Sequence, residues 1–85
     1  MPRYFFHVVN GEFLPDTVGH ECSSDDEVKA EAARAAGAMI REQGLTLWKT
    51  GSWIMFVCDE QNRTLLKLQF DAADLTGALS EGDTH

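Results

Sequence analysis

The sequence predicts an α+β domain of two layers: a three- to four-stranded, mostly antiparallel sheet in the order β-β-α-β-β, with one long helix on one face. Three observations carry this. Residues 24–43 are the one long stretch with helical periodicity. Three short runs, RYFFHVV, SWIMFVC and TLLKLQF, are rich in aromatic and β-branched residues, which favour strands. Turn residues (Asn10–Gly11, Pro15–Asp16, Gly51, and Asp59 to Asn62) separate these stretches at hairpin-like intervals.

The first strand is expected over Arg3–Val9. Tyr4, Phe6 and Val8 point one way and Phe5, His7 and Val9 the other. Both sides are largely apolar, so the strand is expected to be central or well covered. Asn10–Gly11 either closes a tight hairpin or begins a looser loop. A short strand is expected within residues 17–22, after turn punctuation at Pro15–Asp16 and Gly19.

The helix has explicit ends. Ser24 followed by Glu27 forms a Ser-x-x-Glu capping box, and Asp25, Asp26 and Glu27 place anions where the helix dipole favours them. Arg41 sits near the other end, and Gly44 supplies the left-handed position that commonly stops a helix. At about 100° per residue, Val28, Ala32, Ala35, Ala36 and Met39 share one side, with Ile40 at its margin. Glu27, Glu31, Arg34, Arg41 and Glu42 fall opposite. An alanine side holds nothing at a distance, so the helix is expected to sit close on the sheet, which supplies the bulk.

After the helix, residues 45–48 read as a connector. The apolar run Ser52–Cys58 and the alternating stretch 64–70 form a second hairpin, with Leu66, Leu68 and Phe70 on its buried face. Asn62 tolerates positive φ and suits the last turn position. Asp71 is expected to cap a short final helix over residues 72–79. Residues 1–79 are thus read as a single domain and residues 80–85 as a frayed tail.

Composition bounds function. Eighty-five residues make one domain, and 44% apolar residues suffice for a core. Seven basic against fourteen acidic residues give a net charge of −7, and the basic ones are scattered. That disfavours nucleic acid as a partner, because binding it rests on cations neutralising phosphates. A spanning helix needs about 20 mostly apolar residues, and the long helix carries charges throughout. No membrane role is expected. Nothing near Met1 resembles a signal peptide, so the expected location is cytoplasmic, with the thiols of Cys22 and Cys58 free.

No catalytic, cofactor-binding or metal-ligating set is assigned. There is no C-x-x-C, no G-x-G-x-x-G and no phosphate-loop lysine. His20, Glu21 and Cys22 cluster in a loop without a recognised metal spacing. A Cys–His nucleophile would have to pair Cys22 with His7 or His20. Each of these residues has a plainer reading, as a strand or loop position.

The opening Pro2–Arg3–Tyr4–Phe5–Phe6–His7, with Gly11, Asp16, Gly19, the alanine-rich helix from Asp25, Trp53, and Val57–Cys58–Asp59–Glu60, resembles a family of small proteins of soil alphaproteobacteria known as a domain of unknown function. The resemblance covers residues 2–71. The family pattern usually has Gly where this chain has Asn62, and both serve the same backbone need. No activity, cofactor or site residue comes with it. Asp16, Gly19 and residues 27–36 are also similar to HicB-type antitoxins, an analogy of layout only.

The expected function is therefore a non-enzymatic protein-interaction domain, with a homodimer or another protein as the partner, whose second sheet face is covered by the C-terminal segment or by another chain. The alternative is a small-molecule or metal-binding sensor using His7, His20, Cys22 or the sheet–helix cleft.

Overall fold

The computed structural model describes residues 1–75. Its elements are β1 (Arg3–Val9), β2 (Phe13–Leu14), β3 (His20–Glu21), α1 (Asp25–Gln43), α2 (Leu45–Thr50), β4 (Ser52–Cys58) and β5 (Thr64–Asp71). The expected α+β fold is present, with five antiparallel strands. Their order is β2-β1-β4-β5, and β3 also pairs with β1.

Strand β1 is central, as its two apolar sides require. It lies antiparallel to β4 in a register that sets Phe5 opposite Cys58, His7 opposite Phe56 and Val9 opposite Ile54. Its other edge is shared. Val8 and Val9 pair with Leu14 and Phe13 of β2, and Arg3 and Tyr4 pair with Glu21 and His20 of β3. The Asn10–Gly11 turn thus closes a hairpin, onto a two-residue strand that the polar residues around it obscure in the sequence. The strand expected over residues 17–22 shrinks to His20–Glu21.

Helix α1 begins at the Ser24 N-cap, whose Oγ accepts the Glu27 N–H at 3.1 Å. The second bond of the capping box differs from expectation. The Glu27 carboxylate accepts the backbone N–H and hydroxyl of Ser23, one residue earlier. Val28, Ala32 and Ala36 are buried against Phe6, Val8, Trp53, Met55 and Val57, with Ala35 and Ile40 partly buried beside them. Met39, expected on the core side, is exposed, at the rim of the cleft that it lines with Leu14 of β2. The bulk of the core comes from the sheet: Trp53 and Met55 are its largest fully buried side chains.

Two further expectations are corrected. Residues 45–48 are part of helix α2. Gly44, with φ of 53°, ends α1 and starts α2 in one step, and Leu47 packs against the core. Asp71 does not cap a helix; it is the last residue of β5, and the Ala72 N–H donates to the Gly51 carbonyl at 3.0 Å, extending the strand ladder. Residues 72–75 are not helical, and the rest of the expected final helix and the tail lie outside the described residues. Asn62 takes the expected positive φ, 63°, in the β4–β5 turn. The Asp59 carboxylate holds that turn by accepting the Gln61 and Arg63 N–H groups, each at 2.9 Å.

Candidate functional site

Helix α1 covers one face of the sheet, the side of Phe6, Val8, Trp53, Met55 and Val57. Side-chain alternation therefore puts Phe5, His7 and Val9 of β1 on the helix-free face, with Ile54 and Phe56 of β4. Lys67 and Gln69 of β5 lie opposite Phe56 and Ile54 on the same face. Nothing among the described elements packs over this face. Phe5 and His7 stack with ring centroids 6.4 Å apart and planes within 8°. His7 and Phe13 are 5.7 Å apart and tilted. Phe13, on the rim, is 59% exposed.

The edge of β1 between β2 and β3 is closed by a side chain. The Asp16 carboxylate accepts the Phe6 N–H through Oδ2 at 3.1 Å. Its Oδ1 accepts the Val18 and Gly19 N–H groups, each at 3.0 Å. In return the Asp16 N–H donates to His7 Nδ1 at 3.0 Å. Partial burial pushes this carboxyl up, but the N–H donors of Gly19, Phe6 and Val18, with His7 nearby, outweigh it and hold Asp16 below the ordinary carboxylate range. Gly19 permits the loop. Its φ is 77°, and a Cβ there would lie 2.9 Å from the Tyr4 carbonyl oxygen and 2.8 Å from Arg3 Cγ. Arg3 adds an outer brace, donating to the Val18 carbonyl at 3.0 Å.

The structure separates the residues weighed for chemistry. His7 is a half-buried strand residue on the helix-free face. Cys22 is fully buried in the core under α1, across the sheet from His7. Burial, with Glu27 and Glu31 nearby, pushes its thiol up, away from the thiolate a nucleophile needs. Among the described residues its one polar contact is a long one, 4.0 Å, to the His20 carbonyl. His20 points outward, with Nε2 3.8 Å from Glu31 Oε1, and Arg34 also bonds Glu31. Cys22 and Cys58 are both free. Cys58 sits opposite Phe5, its Sγ 3.6 Å from Thr64 Oγ1. Among the described residues no three His, Cys, Asp or Glu side chains are placed to hold a metal ion.

A shallow cleft of about 390 Å³ runs between α1 and the β2–β3 edge, over Phe6, Leu14, Asp16, His20, Glu31 and Met39. It exists because α1 presents Ala35 there and the facing strands are two residues long. Its walls are mostly apolar, and its polar side chains already have partners within the chain: Asp16 the Phe6, Val18 and Gly19 N–H groups, and Glu31 both Arg34 and His20.

In the sequence Asp16 reads as turn punctuation, and its role as the acceptor for the Phe6 N–H is not evident there. The signal is its spacing to Gly19, an acidic acceptor three residues before a residue free to take positive φ.

No described helix is long and apolar enough to cross a membrane. In comparisons with known proteins, residues 3–71 match the family model of a domain of unknown function, DUF6894. No curated protein and no solved structure matches the chain.

Proposed function

This chain belongs to the DUF6894 family, and we propose that it is a non-enzymatic protein-interaction domain that works by self-association, its helix-free sheet face packing on that of a second copy. The observation that carries this reading is the face itself. Phe5, His7, Val9, Ile54 and Phe56 form a continuous, largely apolar surface over which none of the described elements packs. Apolar patches above a few hundred Å² mark interaction surfaces, and two apolar sheet faces pack at about 10 Å. Strands β1, β4 and β5, about 4.8 Å apart and seven or eight residues long, give a footprint of roughly 330 Å². The net charge of −7 opposes association of two copies, but at physiological salt it is screened beyond about 8 Å. The buried thiol of Cys22 and its separation from His7 argue against nucleophilic catalysis. The two free thiols accord with a cytoplasmic setting.

Sedimentation velocity at micromolar concentrations tests the reading. The chain is expected to sediment as an assembly, and Phe13→Ser and Phe56→Ser on the face are expected to reduce its mass. A strict monomer at tens of micromolar overturns the reading.

The α1–β3 cleft favours a second reading, a small-molecule sensor, since its volume falls in the range of ligand sites. Thermal melting with zinc, copper and a panel of small amines tests it, and unchanged melting throughout counts against it.

A further inference from the structure

The helix-free face is small for an interface. A standard one buries about 800 Å² per partner, more than twice this footprint. A second self-contact is available at a different place, the outer edge of β5. Strand β5 ends the sheet, and no described strand pairs on its outer side. It runs eight residues, Thr64–Asp71, without proline. A long unpaired edge is a template for another strand.

The ladder fixes which backbone groups that edge offers. The Ala72 N–H donates to the Gly51 carbonyl, in line with the Ser52–Asp71 and Trp53–Phe70 pairs. Hydrogen-bonded and non-bonded pairs alternate in an antiparallel ladder. Phe70, Leu68 and Leu66 therefore turn their N–H and C=O groups toward β4. Lys67, Gln69 and Asp71 turn theirs outward.

We propose that a second copy of the chain pairs antiparallel along this edge, with the two-fold axis at Gln69. Lys67 then lies opposite the partner's Asp71, and Asp71 opposite the partner's Lys67. All four are on the helix-free side, where opposite charges across a strand pair are favourable. Leu68 lies opposite the partner's Phe70 on the helix side. Here Phe70 already meets Trp53 edge-on at 5.9 Å and keeps 36% of its surface exposed.

Other registers lose this match. An axis at Lys67 sets two lysines face to face, and an axis at Leu68 sets Asp71 against Leu65. A lysine in an edge strand usually blocks pairing. In the Gln69 register its charge is met, and the cation in the middle of the apolar face is neutralised. Asp71 is poised for this, because its only described partner is the Gln69 amide at 3.1 Å. The flank of α1 beside β5 carries small residues. Lys29 lines a groove with Leu65 and Leu66, and Ala33 and Gly37 follow it at four-residue steps along that flank. A Cβ at Gly37 would meet nothing within 4 Å. Edge pairing does not use the helix-free face and makes each copy's continuous with its partner's. It rests on the self-association reading for its partner, but on a separate observation for its place.

Charge reversal tests it by sedimentation of the whole chain. Lys67→Asp and Asp71→Lys are each expected to weaken association about tenfold or more, and the double reversal to restore it. Gln69→Pro removes an outward N–H that β4 does not use, so it is expected to abolish the contact while the circular dichroism of the fold persists. An assembly that ignores all of these variants but falls apart with Phe13→Ser overturns edge pairing and leaves the face contact standing. A monomeric wild-type chain overturns both.

Discussion

His7 Nδ1 accepts the backbone N–H of Asp16 at 3.0 Å, while the neighbouring Phe6 N–H donates to the Asp16 carboxylate at 3.1 Å. This reciprocal pair ties a loop to the middle of β1, where neither β2 nor β3 reaches. One carboxylate does there what a strand would otherwise do. It also fixes His7 between Phe5 and Phe13 on the helix-free face.

Asp16→Asn removes the charge and turns an amide donor toward N–H groups that need acceptors. A charge-assisted hydrogen bond contributes roughly 1.5–3 kcal/mol, so the variant is expected to lose about 2 kcal/mol of stability in urea unfolding. A loss below a few tenths of a kcal/mol would show that solvent replaces these bonds without cost.

The lowered Asp16 carboxyl makes stability depend on pH. Because its folded value lies below its unfolded one, its contribution is complete above the ordinary aspartate value of 3.8 and is lost as pH falls through the folded value. Asp59 is also lowered, first by the Arg63 backbone N–H, and acts in the same direction. Unfolding free energy followed from pH 6 downward is expected to fall with a shallower slope in Asp16→Asn than in the wild type. Parallel curves would assign the acid sensitivity elsewhere.

Ala36 is fully buried between α1 and the sheet. Ala36→Leu is expected to overpack that contact and cost about 1–3 kcal/mol. An unchanged melting temperature would contradict the close seating of the helix.

Gly19→Ala combines a positive φ with a Cβ 2.9 Å from the Tyr4 carbonyl oxygen. Holding a non-glycine residue at such a φ costs on the order of 1–3 kcal/mol. The variant is expected to loosen the loop and increase amide exchange at Val18 and Phe6. Wild-type exchange there would show that the loop adapts.

Where local chemistry is strong, the fold is legible in the sequence. The Ser24 cap, the alanine side of α1, the runs of β1 and β4, and the Asn62 turn all read directly, because propensity and pattern agree there. Strand β2 does not, since Phe13–Leu14 is too short to alternate and is made a strand by its pairing with Val8 and Val9. Residues 45–50 carry no side chain that caps their first turn, so α2 depends on the core that Leu47 packs against. Of the site, the apolar alternation of β1 and β4 exposes the second face in advance. The Asp16–Phe6 bond depends on a tertiary approach that local spacing does not encode. Asp71 shows the same limit: as a helix cap it is plausible locally, but the ladder with Gly51 takes it into β5.

Self-association through the sheet is tested most directly by the mass of the untagged wild-type chain in solution. Light scattering across micromolar to tens-of-micromolar concentrations is predicted to give a mass of two or more chains, decreasing on dilution. A mass of one chain across that whole range would contradict the account.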